Sequence, residues 1–252
     1  MLFGCNARTS YSHPSMSCDT RTVVVTGASG GVGGAVCDHL QSAGWNVVAT
    51  DRLASDRAGA IQLDISDSAA VERVLGALPR VDALVNNAAI QLYRPLLQTG
   101  IDEWEDVHRV NLRAPWLCVK ALHRQLAARQ GSVVNVASVH AVATSLSIGA
   151  YATMKGGLAA FTRAAALEFA GAGVRVNTVL PGAIDTPALR DGFGRRADAE
   201  SQLIARTPLR RIGTTRDVAS LVAFLVDGGL SGFITGAAIP VDGGVLAQLC
   251  SE

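Results

Sequence analysis

Residues 22–34 leave this chain few folds to choose from. Thr22-Val23-Val24-Val25-Thr26 is a β-branched run without polar alternation, the pattern of a strand buried on both faces. Gly27-Ala28-Ser29-Gly30-Gly31-Val32-Gly33-Gly34 follows at once, and a helical pattern then runs from Ala35 to Ala43, with Gly44 as its stop. In a strand, glycine turn and helix of this kind, small residues let backbone N–H groups close on a pyrophosphate. The helix N-terminus adds partial positive charge. The spacing is Gly27-x-x-x-Gly31-x-Gly33 rather than Gly-x-Gly-x-x-Gly, so the glycines alone fit a flexible loop equally well and the next strand has to decide.

That strand is Asn46 to Thr50, closed by Asp51. A carboxylate about twenty residues past the glycines can accept hydrogen bonds from both ribose hydroxyls of an adenosine, and it repels a 2′-phosphate. This favours NAD. Arg52, one residue on, is able to receive that phosphate and leaves NADP open. A strand at Ala60–Leu63 runs into Asp64-Ile65, a helix is predicted over Ser66–Leu78, and Ala83-Leu84-Val85 runs into Asn86-Asn87-Ala88-Ala89. Such alternation predicts an α/β fold: a doubly wound, mostly parallel sheet in three α/β/α layers. Ligands bind at the carboxyl ends of the strands of such sheets, where these polar residues fall. No composition break divides the 252 residues, so 21–252 reads as a single domain.

A long helix is predicted from Ile101 to Arg129, with a local kink where Asn111 is followed by Pro115. Ser132–Ala137 is a further buried strand, and Ser138 stands at its carboxyl end. Tyr151 then opens an alanine-rich helix reaching Ala170. Tyr151 and Lys155, four apart, share one face of it, so the ammonium should favour the phenolate and bring the phenol into use near neutral pH. Beyond it a strand is predicted at Val174–Leu180, a lid at 187–207 carrying Gly192, Gly194, Arg195 and Arg196, and a last helix at Asp217–Leu225. A last strand follows at Ala237–Val241, with turns at Gly228-Gly229 and Gly243-Gly244.

Taken together, these spaced motifs closely resemble the short-chain dehydrogenase/reductase family, in its single-domain branch of Rossmann fold, from Arg21 to the C-terminus. The motifs are Thr26 to Gly33, Asn86-Asn87-Ala88-Ala89, Asn111, Ser138, Tyr151 with Lys155, Pro181-Gly182-Ala183-Ile184-Asp185-Thr186 and Val241-Asp242-Gly243-Gly244. One departure is Ala89, where glycine is commoner. The resemblance implies that Tyr151 is the acid/base in hydride transfer between a nicotinamide and an alcohol or carbonyl. Lys155 would hold the nicotinamide ribose and lower the phenol's proton affinity, Ser138 would bind the reacting oxygen, and Asn111 would anchor a water leading to Lys155. It also implies a dinucleotide held by Gly27, Ser29, Gly31, Val32, Gly33, Asp51, Arg52, Asp64, Ile65, Asn87, Ala88, Pro181, Gly182, Ile184 and Thr186. Thr186 and the Ile184 backbone would take the carboxamide, and Asp64 with Ile65 the adenine. Family members commonly form tetramers through their two long helices and C-terminal strand, so a homotetramer is expected.

The substrate is less legible. Gln91, Tyr93, Ser138, His140, Ser145, Ala183 and Leu189 are expected around the reacting oxygen, with Leu146 nearby. Gln91 and His140 would lend hydrogen bonds to a polyol or sugar-like alcohol. A 3-oxoacyl carrier-protein reductase using NADPH is the alternative enzyme. It calls for a basic surface, for which Arg129 is available but Ala172, at the end of the next helix, offers no partner. A dinucleotide-binding sensor without catalysis is the alternative outside enzymes. Hydrophobic residues make up 49%, charged residues 17% and the net charge is +1, a balance that indicates neither disorder nor a polyanionic partner such as nucleic acid. The five cysteines, Cys5, Cys18, Cys37, Cys118 and Cys250, lack metal-ligand spacing and suit a reducing, cytoplasmic setting. No apolar run approaches a membrane span or secretory signal, and residues 1–20 are expected to be disordered.

Overall fold

The computed structural model describes residues 20–54, 56–57, 59–193 and 198–249. The expected disordered extension, apart from Thr20, lies outside them, as do Gly194, Arg195 and Arg196 of the lid and Cys5, Cys18 and Cys250. Strands and helices alternate as anticipated: β1 (Thr22–Thr26), α1 (Gly31–Ser42), β2 (Asn46–Asp51), β3 (Ile61–Gln62), α2 (Ser68–Leu75) and β4 (Ala83–Asn86). Then come α3 (Ile101–His108), α4 (Ala114–Ala128), β5 (Ser132–Val136), α5 (Gly149–Phe169), β6 (Arg175–Pro181), α6 (Pro187–Phe193), α7 (Ala199–Arg206), α8 (Thr215–Val226), α9 (Gly228–Ser231) and β7 (Ala238–Val241).

All seven strands pair in parallel in the order β3-β2-β1-β4-β5-β6-β7. The order reverses between β1 and β4, which opens a crevice at their carboxyl ends. β1, β5 and β6 are buried along their whole length, because each face of the sheet is covered. Val36, Leu40, Val218 and Val222, from α1 and α8, pack on one face. Val71, Leu75, Val119, Leu122, Ala165 and Ala166, from α2, α4 and α5, pack on the other.

Several expected boundaries move for local reasons. α1 starts at Gly31, not Ala35, because Gly30 is the extended N-cap and the glycines after it are tight packing positions inside the first turn. β3 has two residues instead of four, paired to β2 at the sheet edge alone. α2 is shorter than Ser66–Leu78: Asp67 caps it by accepting from the N–H groups of Ala69 and Ala70, and Gly76 ends it. The single helix over Ile101–Arg129 is broken by a π-helical turn at Arg109–Arg113, in which the Ala114 N–H bonds five residues back to Arg109. Pro115 has no N–H for the Asn111 carbonyl four residues earlier, so the ladder has to rearrange there. α8 is not the last helix, since Gly228-Gly229 opens the one-turn α9 under an Asp227 cap. The lid is α6 and α7 at its two ends, and Gly243-Gly244 is a turn with positive φ at both residues.

Candidate active site

The crevice at the switch point holds a cavity of about 570 Å³. Every residue assigned above to the dinucleotide lines it, from Gly27 to Thr186, and so do Ser138, Tyr151, Lys155, Gln91, Tyr93 and Leu189. At one end, the Gly27 turn takes φ +66°, and a Cβ on Gly33 would stand 2.1 Å from the Gly27 carbonyl, so only glycine allows the turn to close on α1. Thr26 Oγ1 accepts from the N–H groups of Asn87 and Ala88 at 3.0 and 3.1 Å, which ties the end of β4 to the turn. Asp51, at the end of β2, is fixed by the N–H groups of Ser29 (3.0 Å) and Leu53 (3.1 Å). The N–H groups of Ser66 and Asp67 bond back to the Asp64 carboxylate (2.8 Å) and carbonyl (3.1 Å) and shape the next loop, and the Ser66 N–H holds the Asp64 carboxyl below its usual range.

At the other end stand the chemistry-bearing residues of β5 and α5. Tyr151 and Lys155 are buried on the face of α5 that meets β5. The Lys155 ammonium lies 5.6 Å from the centre of the Tyr151 ring and donates to the Val136 carbonyl at 2.8 Å. Here the expected tuning does not appear. Burial raises the Tyr151 phenol above its ordinary value, against hydrogen bonding with Ser138 and Gln91, and burial brings Lys155 down to about 7. Both groups lose water, so both charged forms are disfavoured, and burial outweighs any lowering of the phenol by the lysine's charge.

Asn111 does not line the cavity. It is fully buried in the π turn, where its amide donates to Ile90 O (2.9 Å) and Val107 O (3.1 Å) and accepts from Ile90 N (3.2 Å). Its side chain is thereby engaged in fixing the cavity wall through Ile90. Three expected substrate residues also fall outside. Ser145 is exposed on the loop before α5, as is Leu146, and Ala183 lines a neighbouring cavity of about 250 Å³ instead. His140 packs edge-on to Tyr151 at 6.1 Å with Nδ1 3.0 Å from Thr144 Oγ1, and burial lowers its pKa. Leu63, Ile90 and Ala188 line the cavity without having been anticipated. Each is an apolar neighbour of an anticipated residue, a strand end or loop start whose facing a sequence pattern does not fix.

The residues present fit a dinucleotide. The N-terminus of α1 opens on the cavity with no side-chain cap and no acidic residue in its first turn, whereas α2 and α8 are capped by Asp67 and Thr214. Its N–H groups are therefore free for an anion. Lys155, with Val136 O as its sole hydrogen-bond partner among the described residues, keeps donors for a hydroxyl. Among the same residues, no group of three or more His, Cys, Asp or Glu could hold a metal ion, and no helix is long and apolar enough to cross a membrane.

Comparison with known proteins places this geometry among relatives. The family model described as enoyl-(acyl carrier protein) reductase matches residues 27–246. The chain is 34% identical to the meso-2,3-butanediol dehydrogenase of Serratia marcescens, over 92% of this chain and 97% of that one. It is 35% identical to the protein FixR of Bradyrhizobium diazoefficiens, over 95% and 89%. Among solved structures, the ligand-free aldohexose dehydrogenase of Thermoplasma acidophilum superposes with a TM-score of 0.87 at 28% identity, over 92% of this chain and 96% of that one.

Proposed function

Because the chain belongs to the short-chain dehydrogenase/reductase family, we propose that it is an oxidoreductase moving a hydride between NAD and an alcohol or carbonyl substrate, with Tyr151 as the acid/base. The observation that carries this reading is the single cavity with the uncapped glycine turn and Asp51 at one end and Ser138, Tyr151 and Lys155 at the other. When bound, the nicotinamide supplies or accepts the hydride.

The chain's own residues manage the proton and the charge. In reduction, Tyr151 gives its proton to the carbonyl oxygen as negative charge builds there, and Ser138 donates a hydrogen bond to the same oxygen. In oxidation Tyr151 takes the hydroxyl proton. Lys155 donates to the nicotinamide ribose with the protons that Val136 does not use. The Asn111 carbonyl holds a water on the route by which protons return to Lys155. Thr186 and the Ile184 backbone orient the carboxamide, and Asp64 with Ile65 borders the adenine.

Asp51 supports NAD over NADP. Its carboxylate is fixed at the adenosine-ribose end by Ser29 and Leu53, so a 2′-phosphate would meet a standing negative charge. Arg52, exposed beside it, is the feature that would admit NADP. Comparing kcat/KM for NADH and NADPH tests the choice, and a clear preference for NADPH would overturn it. Gln91 and Tyr93 among the polar residues lining the cavity, with Leu189, Ile90 and Ala188 among the apolar ones, suit a small polyol or sugar-like alcohol. The butanediol and aldohexose named for two of its relatives are of this kind.

The description of the matching family model favours a second reading, a carrier-protein reductase. Arg129, the cation that such a carrier would need, is instead ion-paired with Asp82 at 3.0 Å. The presence of Asn111, Ser138, Tyr151 and Lys155 together argues against a non-catalytic sensor. The alanine face of α5 and its family suggest a homotetramer, and the free, buried Cys37 and Cys118 suit the cytoplasm.

A further inference from the structure

On α5, Tyr151, Lys155, Leu158 and Thr162 recur at i, i+4, i+7 and i+11, a single stripe, and all four are buried. The far end of that stripe carries a polar ladder that no step of the proposed reaction uses. Thr162 Oγ1 donates to Leu158 O at 2.9 Å and accepts from Asn135 Nδ2 at 2.8 Å and from Thr178 Oγ1 at 2.6 Å. Its one proton and two lone pairs are thus all engaged. Asn135 Oδ1 in turn accepts from Asn86 Nδ2 at 2.9 Å. The ladder therefore joins β4, β5, α5 and β6 through residues that are at most 3% exposed, and none of them lines the cavity.

Each rung sits on an element that carries part of the site. Asn86 precedes Asn87 and Ala88, and Asn135 precedes Val136, whose carbonyl takes Lys155. Thr178 lies in the strand that ends at Pro181. Apolar contacts are non-directional, so a helix resting on a sheet of valines and leucines can slide by fractions of an ångström at small cost. Hydrogen bonds with fixed partners resist that motion. Eleven residues at about 1.5 Å each separate Thr162 from Tyr151, so an axial slip at one reaches the other undiminished.

We propose that Thr162 and Asn135 are positioning residues that fix the register of α5 against the sheet and thereby hold the Tyr151 phenol in place. The proposal rests on the reading of Tyr151 as the acid/base, and its value follows from the chemistry: a misplacement of about 1 Å costs on the order of 10² in rate.

The test uses the full chain, without substrate, labelled at tyrosine Cζ. There are three tyrosines, and Tyr151→Phe identifies the signal that matters. Thr162→Val keeps the shape but orphans the Asn135 and Thr178 donors, whereas Thr162→Ser keeps the ladder. Lys155, His140 and Tyr93, the titratable groups that face or act on the phenol, are left unchanged. The expected result is that Thr162→Val moves the Tyr151 titration midpoint by about half a pH unit or more while the chain remains folded, and Thr162→Ser restores it. A Thr162→Val chain that melts lower yet titrates at Tyr151 as the wild type does would make the ladder a stabilising feature only and overturn the proposal. If Thr162→Val does not fold, Thr178→Val, which removes one rung, carries the same test with a smaller shift. In turnover of meso-2,3-butanediol with NAD, kcat should fall about tenfold in Thr162→Val with KM for NAD within about twofold. Absence of turnover in the wild type would count against the function proposed above, whereas the titration decides this proposal by itself.

Discussion

At the scale of single residues, the site depends on two buried groups whose charged forms are both disfavoured, Tyr151 and Lys155. Replacing Tyr151 by Phe removes the proton but little surface, so turnover should fall by about 10² to 10⁴ while NADH affinity, read by fluorescence titration, stays within about twofold. Lys155→Met should weaken both, because on the proposed reading Lys155 holds the nicotinamide ribose and also returns protons toward the phenol. Lys155 also predicts a pH dependence. Its value is about 7 in the folded chain and near 10.5 when unfolded, so between these the unfolded state holds the extra proton and stability rises with pH. The burial cost is fully present below about pH 7. Cys37 and Cys118, pushed up to about 11 and about 12, act oppositely but only above their ordinary value of 9.0. The cofactor-free chain should therefore melt at higher temperature at pH 9 than at pH 7, and Lys155→Met should flatten that rise. Helix periodicity placed Tyr151 and Lys155 on one face, and the resemblance to a family, carried by several spaced motifs, is what made Ser138, Tyr151 and Lys155 legible as a set. The direction of the Tyr151 shift was not, since it is set by burial, which a pentapeptide does not reveal.

At the scale of elements, the strand, glycine turn and helix at the head of the chain were legible as a unit. The start of α1 was not, because Gly31, Gly33 and Gly34 read as loop until the close approach of Gly27 is known. Two of these glycines now separate. A Cβ on Gly33 would fall 2.1 Å from Gly27 O and 2.6 Å from Asn87 Nδ2, so Gly33→Ala should force the turn open and cost about 1–3 kcal/mol, seen in thermal unfolding and in weaker NADH binding. On Gly34 the nearest atoms are Ala28 O at 3.5 Å and Arg57 Nη2 at 3.9 Å, ordinary contacts, so Gly34→Ala should be neutral or stabilise by up to about 1 kcal/mol. The π turn at Arg109–Arg113 was half visible. Asn111 with Pro115 announces a disturbed ladder, but only the fold shows that the amide is spent on Ile90 and Val107. The substrate wall was the least legible element. Ser145 and Ala183 are near Tyr151 and Ile184 in sequence, yet the loop and strand geometry turn them to solvent and to a second cavity.

At the scale of the whole molecule, alternation of strands with helices was enough to foresee one parallel sheet covered on both faces. The lateral order was not, because β4 pairing with β1 across the first two β-α units is a tertiary choice. That choice creates the crevice in which Asp51 and Tyr151 border one cavity although a hundred residues separate them. Light scattering should find a homotetramer, and a monomer at assay concentration would contradict that expectation. The central claim is that this crevice supports NAD-dependent hydride transfer with Tyr151 as the acid/base. Its most direct test follows nicotinamide absorbance in both directions over a panel of vicinal diols, sugars and their carbonyl counterparts, with wild type and Tyr151→Phe side by side. The expected result is wild-type turnover with NAD on at least one member and its loss in Tyr151→Phe without loss of NADH binding. A Tyr151→Phe enzyme that turns the same substrate over as fast as the wild type would contradict it.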